Sequence, residues 1–216
     1  MGFNSMGAKT VANHLRDAKK GLPEWFRVGV NLGKNKETPN ENAATDYLDA
    51  LQEFRDLVDF VVINVSSPNT PGLRALQEVE TLRSLYQVVK TELSSWQNPS
   101  TPIWIKLAPE LEGAALEELL KGVPADAWVL TNTLSGEWQN QKGGWSGRPL
   151  KELSRDRLRS AIKVTQTPMV SVGGILSVEE AKLRLELGAA LIEIYSGWVF
   201  RGPFYPKKLR SGLQKK

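Results

Sequence analysis

The sequence predicts a parallel α/β fold, and it favours a (β/α)-barrel over an open sheet. Three observations carry this. Six short apolar runs stand at 28–32, 60–65, 103–107, 127–131, 169–172 and 191–195. Most are apolar throughout instead of alternating, as expected of parallel strands covered on both faces. Helical patterns separate them, and repeated strand–helix units of this length build parallel sheets. Finally, Gly173-Gly174 and Ser196-Gly197 follow the last two runs, where barrels bind phosphate. No G-x-G-x-x-G follows any run, which weakens the open dinucleotide-binding sheet. A closed barrel of this type has eight strands and six are counted, so the barrel is expected to be incomplete.

The elements follow in order. After the first run, Ala44, Tyr47, Leu48, Leu51, Phe54 and Leu57 recur at helical spacing. After the second, Val79, Leu82, Leu85, Val89 and Leu93 do the same. Leu116, Leu119 and Leu120 follow the third run, and Leu158, Ala161 and Ile162 precede the fifth. Between the last two runs, Ser177 and Glu180 have the spacing of a capping box, and Gly188 supplies a helix stop.

Composition removes whole classes of chemistry. Of 216 residues, 41% are hydrophobic and 24% charged, which is ordinary for a globular domain. There is no cysteine, so disulfides, thiolate metal sites and a cysteine nucleophile are out. His14 is the single histidine, which argues against a His-based triad or a multi-His metal site, and no metal is expected. The net charge of +4 comes partly from Lys207, Lys208, Arg210, Lys215 and Lys216, read as a solvated tail and not a nucleic-acid patch. No run is long enough to span a membrane, and no signal pattern opens the chain. As given, the chain reads as soluble and intracellular.

Two apparent motifs are decoys. Residues 29–35 read G-x-x-x-G-K-N, one residue short of a phosphate-binding P-loop and without its Ser or Thr. Residues 144–147, GWSG, lack nucleophile-elbow spacing. The informative feature is the polar residue at the end of each run: Asn31, Asn64 to Ser67, Lys106, Thr131-Asn132-Thr133, Gly173-Gly174 and Tyr195-Ser196. In a barrel these ends converge on one mouth. Carboxamides donate and accept, so they suit a flat ring with C=O and N–H edges. With no strand-end carboxylate expected, the set is poor in proton-transfer groups, which implies that a cofactor performs the difficult step. Lys106 would be a fixed cation beside developing negative charge.

Residues 64–74 read NVSSPNTPGLR and are followed by Leu76-Gln77. This segment closely resembles the quinone-dependent, class 2 dihydroorotate dehydrogenases. MGFN at 1–4, VNLGKNK at 30–36, IKLAP at 105–109, TNT at 131–133, GGWSGRPL at 143–150, VGGI at 172–175 and IYSG at 194–197 fall in the family's order. The resemblance covers the chain as a single FMN-binding barrel domain, 1–216. It implies oxidation of dihydroorotate to orotate in pyrimidine synthesis, with FMN as cofactor and a quinone as acceptor. By that resemblance Ser67 is the catalytic base. Asn31, Asn64, Lys106, Thr131, Gly147, Gly174, Tyr195 and Ser196 are FMN contacts. Asn69, Asn132 and Thr133 contact orotate, Asn31 and Asn64 lie near both ligands, and Met1, Gly2 and Phe3 end a substrate-binding stretch. A serine is a poor base alone, so it needs a dry site and a proton exit path.

The resemblance also sets expectations about what is missing. Class 2 members carry a membrane-associating helical extension and two further strands before the stretch matching Met1, and the chain is expected to lack them. Peripheral association with the cytoplasmic side of the cell membrane is implied for the family. The lid between Thr133 and Gly143 looks short, and Trp145 stands where the family usually has Leu. The competing expectation is a non-catalytic remnant that binds FMN or a partner chain.

Overall fold

The structure, a computed structural model, describes residues 5–70 and 72–214. The helix α1 (Ala8–Lys19) leads into β1 (Gly29–Leu32), α2 (Ala43–Glu53), β2 (Phe60–Asn64), α3 (Val79–Leu93), β3 (Ile103–Leu107), α4 (Gly113–Gly122) and β4 (Ala127–Leu130). A hairpin follows, β5 (Leu134–Trp138) and β6 (Gln141–Trp145), then α5 (Lys151–Ala161), β7 (Met169–Val172), α6 (Val178–Glu186), β8 (Leu191–Glu193), α7 (Ser196–Arg201) and α8 (Tyr205–Gln214). The six long-range strands form one sheet in the order β1-β2-β3-β4-β7-β8, every neighbouring pair parallel. It curls into an incomplete barrel with β1 and β8 as open edges.

The period-2 alternation of each strand separates two apolar layers. Ile103, Ile105 and Leu107 of β3 are fully buried beneath the helices, with Val61 and Ile63 of β2 beside them. Full burial of such a side chain stabilises by about 1.5–3 kcal/mol. The opposite, concave face carries Val62, Ala127, Val129 and Val170, with Phe60, Trp104 and Val172 against them. Phe60 and Trp104 stack at 3.9 Å, and a side chain at Gly29 would meet the Phe60 ring at 2.1 Å. This second layer is what a barrel interior requires.

Expected elements and observed ones differ at specific places. The strands end earlier than the apolar runs, at Asn64, Leu130 and Glu193. Phe54 and Leu57 pack beyond the end of α2. The helix α1 has no counterpart among the expected elements. The region between Thr133 and Gly143, expected as a short lid, belongs to the antiparallel β5–β6 hairpin. Ser177 caps α6 by accepting the Glu180 N–H at 3.2 Å, which is half of the expected capping box. The Glu180 carboxylate is taken by Arg155 and Arg184 instead of reaching back, while Gly188 adopts φ +102° as the spacing predicts. Lys34, the lysine of the decoy P-loop, is buried and donates to the carbonyls of Asn35 and Thr38. It closes a turn.

Candidate functional site

Because the sheet is parallel, the C-terminal ends of its strands share one rim. A cavity of about 220 Å³ opens there, over β3, β4, β7 and β8. Lys106, Thr131, Gly147, Gly174, Tyr195 and Ser196 line it, together with Asn132 and Thr133. Asn64 is tied to the lining residue Asn132, and Ser67 and Asn69 follow Asn64 on the loop after β2. Asn31 is not brought in: it is exposed on the edge strand β1, opposite Val62 in register. Met1, Gly2 and Phe3 lie outside the described residues.

The carboxamides form a fixed cluster. Asn64 Oδ1 accepts from the Ser66 N–H at 3.2 Å, Ser66 Oγ at 2.8 Å and Asn132 Nδ2 at 3.2 Å. Asn132 Nδ2 also reaches Ser66 Oγ at 3.0 Å, while its Oδ1 accepts the Thr133 N–H at 2.7 Å. These contacts fix which way both amides face. The Nδ2 of Asn64 donates to no other described residue. Tyr47 secures the end of the same strand: burial pushes its phenol pKa up, so it stays a donor, bonded to the Asn64 carbonyl at 2.9 Å.

Ser67 is 6% exposed, and its Oγ accepts the Asn69 N–H at 3.2 Å. Arg74 braces this loop, donating to the carbonyls of Ser66 and Thr133 and to Ser135 Oγ, and pairing with Glu110 at 2.6 Å. Burial pushes the Glu110 carboxyl up, but the Ser135 N–H and Arg74 outweigh it and hold the group below the usual carboxylate range. The hairpin packs so closely here that a Cβ on Gly144 would stand 2.0 Å from Thr133 Oγ1. Thus Arg74, quoted above only as part of a motif, joins the Ser67 loop to β5.

Lys106 projects into the cavity with 16% of its side chain exposed, and its Nζ lies 3.2 Å from Glu193 Oε2. This corrects the expectation that no strand-end carboxylate exists. Ile192 and Ile194 pack away from the concave face, so residue 193 must point into it. That alternation was the available signal.

The far wall is built from glycines. Gly173 and Gly174 have φ of +112° and +71°, and a Cβ on Gly174 would meet the Lys151 backbone at 2.5 Å. The next wall is the start of α7, whose first residue, Ser196, donates to Ser146 Oγ at 2.8 Å. A second helix start, that of α8 at Tyr205, follows after Gly202. Helix-start N–H groups lack intrahelical partners, and neither the Gly174 nor the Ile175 N–H bonds another described residue. Among the described residues no group of three His, Asp or Glu could hold a metal, and no helix is long and apolar enough to cross a membrane.

Comparison with known proteins agrees over the full chain. The dihydroorotate dehydrogenase family model matches residues 1–216. The quinone-type dihydroorotate dehydrogenase of Deinococcus radiodurans is 41% identical over 100% of this chain and 61% of its own length. That of Thermus thermophilus is 42% identical over 99% of this chain and 62% of its own. The chain therefore spans about three fifths of these curated relatives. A crystal structure of DHODH from Eimeria tenella with ferulenol superposes with a TM-score of 0.88 at 29% identity, covering 98% of this chain and 65% of that one.

Proposed function

The chain belongs to the dihydroorotate dehydrogenase family, and on that premise we propose that its cavity holds FMN and dihydroorotate and serves their reaction to orotate, with a quinone as final acceptor. The observation that carries this is convergence. Lys106, Thr131, Gly147, Gly174, Tyr195 and Ser196 line one cavity with Asn132, which is bonded to Asn64, and Ser67 stands on the loop that leaves Asn64. The donors suit the cofactor. N–H groups without protein partners at Gly174 and Ile175 match an anionic phosphate. Lys106 and the carboxamides match a ring edge that both donates and accepts.

When bound, FMN supplies the two-electron oxidation. Asn64, Asn69, Asn132 and Thr133 bind and orient the substrate, the amides of Asn64 and Asn132 already fixed by their mutual bonds. Ser67 Oγ takes the proton that leaves the substrate carbon and passes its own hydroxyl proton outward to solvent, while its burial keeps competing water from the reacting carbon. Lys106 stabilises negative charge that develops beside it. A quinone acceptor dissolves in lipid, so the reading places the enzyme peripherally at the cytoplasmic side of the cell membrane.

The test is anaerobic mixing of the flavin-loaded protein with dihydroorotate, followed by absorbance. Bleaching of the oxidised flavin band is expected. A flavin that stays oxidised sinks the reading.

A further inference from the structure

The most buried charge in the described protein is not in the cavity but directly behind it. Arg184, on α6, is fully buried. Its Nε donates to Glu180 Oε1 at 2.7 Å and its Nη1 to Ser171 Oγ at 3.0 Å. Its Nη2 is shared between the carbonyls of Lys151 at 2.9 Å and Gly173 at 3.0 Å. Ser154 Oγ, 2.9 Å from the same Gly173 oxygen, is a second donor to it.

This arrangement has a directional consequence. In a trans peptide the carbonyl of one residue and the N–H of the next point in opposite directions. The Gly173 carbonyl is held from behind by Arg184 and Ser154, so the Gly174 N–H is turned toward the cavity that both glycines line. Glycine pairs at positive φ are free to flip, and a charged donor on the carbonyl removes that freedom. Lys151 opens α5, so the same guanidinium ties the β7 loop to the neighbouring helix start. The local charge also has a sign. Arg184, Arg155 and Lys151 share two carboxylates, Glu180 and Glu152, leaving one net positive charge behind the glycine wall.

We propose that Arg184 is a positioning residue for the phosphate end of the flavin nucleotide: it orients the Gly174 N–H into the cavity and supplies the field that favours an anion there. The proposal rests on the FMN reading given above. It deepens that reading by assigning recognition of the phosphate, as distinct from the ring, to a side chain that touches neither.

The experiment is fluorescence titration of the full chain, freed of flavin, with FMN and with riboflavin, which lacks the phosphate. Arg184→Gln leaves Glu180 paired with Arg155 and Lys151, so no uncompensated carboxylate remains. It should weaken FMN binding about tenfold or more while riboflavin affinity stays within about twofold. Arg184→Lys keeps the charge but not the fork, and should restore part of the FMN preference. Ser154→Ala removes the other donor to Gly173, and a smaller fall in the same ratio is expected even if R184Q fails to fold. A wild-type FMN-to-riboflavin ratio in R184K and S154A, or in a folded R184Q, overturns the role of Arg184. A wild-type protein that binds neither flavin overturns the FMN reading instead, and the two failures are distinct.

Discussion

The ammonium of Lys106 and the carboxylate of Glu193 meet at 3.2 Å although β4 and β7 lie between their strands. In a flat sheet, strands three places apart would be separated by about 14 Å. The ion pair therefore measures the curl of the sheet: only a concave face brings β3 and β8 within reach of two side chains.

This pair gives the first prediction. It is partly exposed, so it contributes at most about 1 kcal/mol to stability. Both Lys106→Ala and Glu193→Gln should then fold, with little change in melting temperature. Their effects on chemistry should diverge. Lys106→Ala removes the cation that stabilises developing negative charge, and flavin reduction by dihydroorotate should slow about 10²–10³-fold. Glu193→Gln keeps that cation and should slow it far less. Equal reduction rates for K106A and wild type in stopped-flow absorbance would remove Lys106 from the mechanism.

Ser67 gives the second. Loss of a general base costs about 10²–10⁴-fold in rate. Ser67→Ala should slow flavin reduction by that order while orotate affinity is nearly unchanged, because Asn64 and Asn132 hold one another without Ser67. Near-wild-type reduction across pH would show that another group takes the proton.

The third concerns pH. Glu110 titrates below the usual carboxylate range, chiefly because the Ser135 N–H and Arg74 overcome the effect of burial. A lowered native pKa contributes stability that is present above the unfolded pKa and is lost as pH falls through the native one. Acidification below the usual carboxylate range should thus weaken the hold of Glu110 on the Ser135 N–H and on Arg74, loosening the β5–β6 hairpin at that end. Amide exchange over 134–145, corrected for intrinsic rates, should accelerate there. Arg74→Gln should show fast exchange already at neutral pH. Protection independent of pH in the unaltered protein would sink this coupling.

What the sequence revealed and what it hid follow from the same physics. Parallel strands under helices must be apolar on both faces, so 103–107 or 169–172 announce themselves as runs. The hairpin did not, because Gly136, Gly143 and Gly144 stand where β-branched residues usually mark a strand. Gly136 and Gly144 allow close approach to Trp145 and Thr133, whereas a Cβ on Gly143 would meet nothing within 4 Å. Glu193 was hidden inside an apolar run, though Ile192 and Ile194 on either side encode its inward direction. Arg184 reads as one more surface charge on an amphipathic helix. Its (i, i+4) spacing from Glu180 hinted at a pair, but only the fold shows that both are buried. Spacing cannot report burial.

The last prediction concerns the open edges. Among the described residues, β1 meets no strand on the side away from β2, and β8 none beyond β7. Such edges present rows of N–H and C=O groups that template pairing with another chain. Apolar surface accompanies them. Beyond β8, Phe200 is 84% exposed and Phe204 80% exposed, with Trp198 and Val199 also exposed, as is Leu191 on β8 itself. Next to β1, Trp25 and Phe26 are exposed as well. Burying a phenylalanine side chain stabilises by about 1.5–3 kcal/mol, so two of them give a strong tendency to associate. The chain expressed alone should therefore self-associate with rising concentration in sedimentation velocity. Phe200→Asp with Phe204→Asp should shift it toward monomer without lowering the melting temperature, since both side chains are already in water. A wild-type chain that stays monomeric throughout the concentration series would show that these edges and phenylalanines do not drive association.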